Sequence, residues 1–394
     1  MDKRELGDKI AALLFREYNK LKKSNKPIKK SNGIKEWTII SGIVAVSNKD
    51  TNIIKVISLA TGVKATPDSE LKRSQGSIVH DCHAEILAIR GFNTTLLREI
   101  ENKEIDDTNS CDLIYKVENS KCKKYSWNDE YDLGLYISKL PCGDSSMEEE
   151  NSLESNSLIQ FQENDLTQYV DPTIRTILRG RINYNKSGCV RTKPGRIDSE
   201  ITFSKSCSDK ICIKQVLSLL NSLNTELLES PIYIKYLVCP DIKPQNLILL
   251  KKSFNRIENI KLEVSSSYRY HPLSFIPSSI QFQDGKTNDL QEPSFTSVVK
   301  IFNSNDKFGL EQSIVNGVKM GAYTKKSKPL SKNAMTIVSR TFQWNIFKNI
   351  MPEFEQYSYL TFKRFQTDRI ETRNRIRKCL SQDGWISTFN DDII

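Results

Sequence analysis

The stretch Val79-His80-Asp81-Cys82-His83-Ala84-Glu85 sets a metal-capable imidazole, His83, two residues ahead of a carboxylate, Glu85. The run Glu85-Ile86-Leu87-Ala88-Ile89-Arg90 reads as the start of a helix. Hydrolysis at a metal needs one side chain to hold the ion. It also needs an unligated carboxylate to move protons for the activated water, and H-x-E offers both. A surface histidine and a solvated glutamate would give the same triplet, so by itself it decides nothing.

Two later stretches add thiols. Leu140-Pro141-Cys142-Gly143-Asp144 follows a strand-like run, Leu133 to Ser138, and Ser206-Cys207-Ser208-Asp209-Lys210-Ile211 opens another predicted helix. The second cysteine of a C-x-x-C pair is missing, because position 145 is Ser145. Zinc still requires a third protein ligand and an open fourth position. Cys207, 65 residues beyond Cys142, is the candidate. Cys82 is an alternative ligand, although it and His80 read as packing residues, and Asp209 reads as a helix cap or supporting group. His83, Cys142 and Cys207 each fall where a helix is predicted to begin, and the positive ends of helix dipoles favour thiolate over thiol. Zinc held there would draw the pKa of a water towards about 7. Glu85 would then carry that water's proton.

In order, H-A-E, P-C-G-D, R-T-K-P-G-R (Arg191 to Arg196) and S-C-S-D-K resemble the adenosine deaminases that act on RNA. The likeness is greatest to their tRNA-specific branch, the fungal tRNA-Ala adenosine-37 deaminases, and runs from about Trp37 to Trp385. It implies a cytidine-deaminase-like α/β fold, a mixed sheet with helices on both faces. It also implies zinc on His83, Cys142 and Cys207, with Glu85 shuttling protons while adenosine becomes inosine. The resemblance further implies a buried inositol hexakisphosphate. Lys193 links that cofactor to the metal site through Asp81 and Lys210, while Arg90, Lys210, Lys332, Lys363 and Arg373 contact phosphates, and Tyr359 and Trp385 donate hydrogen bonds. Ile89 and Ile213 stand where relatives often carry arginine. Thr61-Gly62-Val63-Lys64 resembles the segment beside the target nucleotide, which makes Val63 and Lys64 candidates for substrate contact. The first 36 residues hold no double-stranded RNA-binding domain, which favours tRNA over long duplex RNA. An mRNA or duplex editor and a non-catalytic RNA-binding homologue are the rival readings; retention of Glu85 argues against the latter.

Composition agrees with a folded, polyanion-binding chain. Of 394 residues 38% are apolar, enough for a sizeable core, and the net charge is +10. Between Lys319 and Lys378 fourteen Lys/Arg stand against four Asp/Glu, a surplus equal to the whole chain's. Nine cysteines without regular spacing, and no signal sequence, point to a reducing intracellular compartment, nucleus or cytoplasm. No apolar run reaches the roughly 18 residues of a membrane helix. Nothing calls for an obligatory protein partner, and a monomer is expected.

Along the chain, Leu6, Ile10, Leu13, Leu14, Tyr18 and Leu21 predict an amphipathic helix over 3–22, with Asp2 and Glu5 as its capping pair. A basic link completes an N-terminal segment, 1–36, ahead of a deaminase domain over 37–394. Trp37 to Ser47 and Ile53 to Ala60 predict a hairpin, and the His83 helix is expected to reach about Glu99. The polar stretches 101–130 and 145–166 read as insertions, the second a mobile acidic loop. From about Tyr357 one helix is expected, with Tyr359, Lys363, Ile370, Arg373, Arg377 and Leu380 near one face. Buried cations on such a face need anions or water. A compact multivalent anion would supply the anions.

Overall fold

The computed structural model describes residues 2–106, 111–117, 125–147, 164–180, 186–193, 199–200, 202–240, 242–264, 266–304, 306–326, 328–388 and 391–393. Helix α1 is Lys3–Asn19. The first hairpin is β1 (Ile40–Ser47) and β2 (Ile54–Thr61), antiparallel as the two β-branched runs require. Helix α2 (Ala84–Ile105) precedes β3 (Tyr131–Ile137), and α3 (Cys207–Leu217) precedes β4 (Ile234–Pro240) and β5 (Ser274–Ser278). Strands β6 (Ser297–Asn303), β7 (Asp306–Val315) and β8 (Val318–Lys319) follow, then helices α4 (Arg340–Ile350), α5 (Tyr359–Arg364) and α6 (Thr367–Leu380).

The eight strands form one mixed sheet in the order β5-β4-β3-β1-β2-β6-β7-β8. β3, β4 and β5 are parallel, and the remaining pairings are antiparallel. Alternation along β1 sends its side chains to two cores. Ile40, Val44 and Val46 pack with Leu6, Ile10, Leu14 and Tyr18 of α1. Ile43 and Ala45 face the larger core, which holds Leu87, Ala88, Phe92 and Leu96 of α2. Both sheet faces are therefore covered, as the α/β reading expects. Among the described residues no helix is long and apolar enough to cross a membrane.

Some local details differ from the sequence reading. Asp2 caps α1 by accepting from Arg4 N, but Glu5 turns outward to Lys9. Helix α2 continues past Glu99 to Ile105 because Ile100 is buried and no breaker intervenes before Asp106. Within 101–130, Ile114–Lys116 pairs with Tyr125–Trp127, and fully buried Tyr125 donates to Glu104 at 2.7 Å. Most of the acidic loop, 148–163, lies outside the described residues. The C-terminal helix is two helices: α5 ends at Arg364 and α6 begins at Thr367. The turn between them lets Phe362 pack against Trp344, Phe347 and Phe354.

Candidate active site

Strand Asp81–His83 pairs antiparallel with Val63–Ala65, placing Val63 opposite His83 and Lys64 opposite Cys82. The chain leaves this strand at His83, which is the N-cap of α2, so Glu85 sits in the first turn. One strand end thus presents the imidazole and the carboxylate side by side. Cys207 is the first residue of α3, capped by Ser206. Cys142 lies in the loop after β3, ahead of a single 3₁₀ turn, Asp144–Ser146, and not at the start of an α-helix. Two helix starts converge here instead of three, because Gly143 turns the chain sharply at φ +102°. Only glycine suits that φ, and a Cβ there would run into Ser206. This close approach brings the two cysteine segments together.

His83 Nδ1 lies 3.8 Å from Cys142 Sγ and 3.6 Å from Cys207 Sγ, and the three donor atoms fall within 4.8 Å of one another. Such spacing suits the corners of one tetrahedral ion with nitrogen and sulfur ligands. Cys207 N donates to Cys142 Sγ at 3.3 Å. A hydrogen bond from the Cys207 side chain holds the Cys142 thiol well below its ordinary range, against burial and aided by Lys193 and His83. Glu85 is 2% exposed, and its Oε2 has no hydrogen-bond partner. A buried carboxylate oxygen left unpaired is costly, so this position suits a polar ligand such as water.

Ser145 is buried where C-x-x-C would place a ligand, and its hydroxyl bonds Ser208 Oγ and Pro141 O, both at 2.7 Å. It ties the Cys142 loop to α3. Behind the thiols, Lys193 Nζ reaches Asp81 Oδ2 at 2.7 Å and Cys207 Sγ at 3.0 Å, and Lys210 also bonds Asp81. Burial lowers the Lys193 pKa, but Asp81 and the two cysteines outweigh it and hold the ammonium charged. Asp209 accepts from Arg191 N at 3.0 Å and Arg256 Nη2 at 2.7 Å, supporting α3 as the sequence reading expected. Cys82 is buried in the main core, and His80 Nε2 stands 3.0 Å from Asp68. Residues 194–196, the second half of the R-T-K-P-G-R motif, lie outside the described residues.

The other predicted cations divide. Arg90 donates to Val338 O at 2.8 Å, and Arg340 and Lys363 both approach the Tyr359 ring, at 5.3 and 5.5 Å. Lys205 and Arg377 both approach the Trp385 ring, at 5.1 and 5.2 Å. Arg373 keeps a buried Nε without a partner. Burial, then Arg373, Arg340, Arg369 and Arg377, push Lys363 down to about 7. Lys332 is exposed instead. Ile89 packs in the main core and Ile213 against it. Beside them Lys214 and Arg369, both missed in the sequence, add cations: both donate to Leu220 O, and burial with Arg369 and Arg90 pushes Lys214 down to about 7. The adjacency of Lys214 to Ile213 was the available signal.

A strand-to-helix turn presenting His-x-Glu, two thiols closing on the imidazole and a mixed sheet beneath them mark a deaminase-like fold whose donors could hold a metal. The adenosine-deaminase (editase) domain family matches residues 58–387, and the chain belongs to that family. It is 44% identical to tRNA-specific adenosine deaminase 1 of Saccharomyces cerevisiae, over 99% of this chain and 94% of that one. It is 32% identical to the protein of that name from Schizosaccharomyces pombe, over 97% and 95%, and 29% identical to the one from Drosophila melanogaster, over 85% and 80%.

Proposed function

We propose that this chain is a zinc-dependent deaminase that converts adenosine to inosine in tRNA, at adenosine-37 beside the anticodon of tRNA-Ala. The observation that carries the reading is the partnerless oxygen of buried Glu85 beside the His83, Cys142 and Cys207 donors. Similarity to tRNA-specific deaminases over nearly the whole chain supports the substrate class. Zinc on those three ligands supplies Lewis-acid activation of water at neutral pH. Glu85 would take the water's first proton and deliver it to N1 of adenine as the oxygen adds to C6. It would then move the remaining hydroxyl proton to the departing amine, so that C6 keeps the oxygen as a carbonyl and ammonia leaves. Lys193 balances the Cys207 sulfur from behind, and Val63 and Lys64 stand on the strand beside His83, where the extruded nucleotide would pass. An unpaired loop base reaches such a site more cheaply than a base in a duplex. Turnover should therefore be measurable with a tRNA-Ala anticodon stem-loop and negligible with free adenosine or long duplex RNA. Binding should weaken steeply as salt rises. Comparable turnover of the free nucleoside would contradict an RNA-specific enzyme.

The reading extends to a bound polyphosphate, inositol hexakisphosphate. Arg90, Arg340, Lys363, Arg369 and Arg373 crowd together, and the unpaired Nε of Arg373 calls for an anion there. Among the described residues Asp391 pairs with Arg340, at 3.5 Å. Lys210 and Lys193, through Asp81, and Tyr359 and Trp385 complete the set, while exposed Lys332 would have to move to join it. Mass spectrometry of the denatured protein should release a phosphorylated inositol, and Lys363→Glu should abolish its retention.

The anion-free protein has a pH signature. Lys363 and Lys214 titrate near 7 when folded, against 10.5 for an ordinary lysine. The unfolded chain then binds more protons between these values, so stability falls as pH drops from about 10 to about 7. Lys363 is faced by Arg340, Arg369, Arg373, Arg377 and Tyr359, and Lys214 by Arg369 and Arg90, with no carboxylate in either set of interactions. Added inositol hexakisphosphate should raise the unfolding temperature most at the low end of that window. A flat profile, with no released inositol phosphate, would remove the buried polyanion.

A further inference from the structure

Next to the metal-ligand strand the chain builds a feature that the deamination chemistry does not use. Strand Val63–Ala65 leads through Pro67 into the turn Asp68–Leu71, and Arg73 follows. The Arg73 side chain is only 14% exposed and pairs with buried Glu70 at 2.6 Å. It also donates to Thr324 O at 3.0 Å, Thr324 Oγ1 at 2.9 Å, Lys325 O at 2.8 Å and Lys328 O at 2.7 Å. One guanidinium therefore fixes the backbone of a loop some 250 residues away in sequence. Its Cζ lies over the ring of Tyr323, 5.3 Å from the ring centre, and Tyr323 stays 37% exposed.

The surroundings are cationic. Lys72, Lys325, Lys326 and Lys328 are all exposed. Lys326 reaches Glu200 at 2.9 Å and Glu200 accepts from Ser69 at 2.6 Å, which joins the loop to the segment running into Cys207. At the loop's base, Val79 N donates to Gly317 O at 2.8 Å, four residues before His83. The loop is thus anchored to the segment that leads into the metal-ligand strand. A loop needed only for solubility has no use for a buried arginine gripping three of its carbonyls.

We propose that Tyr323 is a stacking platform for an unpaired base of the substrate RNA, held flat by Arg73 and flanked by Lys72, Lys325 and Lys328 for the adjoining phosphates. Aromatic rings stack any base, and lysines beside them track the backbone, the combination that single-stranded nucleic acid requires. The excess of lysine over carboxylate around the ring favours RNA over a protein partner. Arg73 acts through Tyr323 and the loop and is a positioning residue. The proposal rests on the reading of the substrate as an RNA loop.

The test uses the full-length, zinc-loaded protein and an anticodon stem-loop RNA carrying 2-aminopurine at each loop position in turn. One position should be quenched on binding to wild type and to Tyr323→Phe, but not to Tyr323→Ala. KM of Tyr323→Ala should rise about 10-fold or more while kcat stays within about 2-fold, because a stacking contact away from the reacting base contributes mainly to binding. Arg73→Ala should raise KM less and weaken the same quench, with zinc content unchanged in every variant. The quench reports binding without turnover. A wild-type protein that forms no inosine therefore counts against the function proposed above. Identical quenching and KM in wild type and Tyr323→Ala overturn the platform.

Discussion

Glu85→Gln lowers inosine formation by about two to four orders of magnitude while zinc content and thermal unfolding stay close to wild type. The side chain is buried, lies in the first turn of α2 and leaves Oε2 unpaired. Glutamine keeps its shape and can still accept a hydrogen bond, but it cannot receive a proton. A carboxylate present only to pack or cap would tolerate this isosteric change. Near-normal turnover in Glu85→Gln, with full zinc, would take Glu85 out of the proton path. Glu85→Ala should match the glutamine variant in activity while costing more stability, since it also removes buried volume.

Cys207→Ala loses the metal and with it all measurable deamination. Cys207 contributes one of three donor atoms, closes on His83 at 3.6 Å and is the sulfur against which Lys193 rests at 3.0 Å. Two ligands and a water do not hold zinc as three do, and the buried Lys193 ammonium loses the sulfur it touches. The control is Cys212→Ala. Cys212 is also buried in α3, but its Sγ points to Phe254 O at 3.7 Å, away from the donors. That variant should keep zinc and activity at a stability cost of about 1 kcal/mol. Full zinc occupancy in Cys207→Ala would refute the ligand assignment.

The centre of this site was legible in the sequence because its geometry is local. His83 and Glu85 straddle one strand-to-helix turn, so a two-residue spacing carries the whole arrangement. The thiols sat in flanking motifs, and the period-2 pattern of β1 divides its side chains between two cores as observed. What escaped was pairing between distant segments, which leaves no periodicity. Arg73 holding Thr324, Lys325 and Lys328, Arg256 on Asp209 and Lys214 beside Arg369 are each ordinary surface-like cations in the linear chain. The break between α5 and α6 also gave no sign, because neither proline nor glycine marks Phe365-Gln366. Tertiary packing of Phe362 decides it. The helix-start reading of Cys142 failed for a related reason: the dipeptide Cys142-Gly143 forms a sharp left-handed turn that brings the thiol beside His83 without a helix.

The most direct measurement of the central claim is to incubate the purified, zinc-loaded protein with total tRNA and map inosine by sequencing. The account predicts inosine at adenosine-37 beside the anticodon of tRNA-Ala, and none after incubation with Glu85→Gln. A zinc-replete protein that leaves every tRNA adenosine unchanged would contradict it.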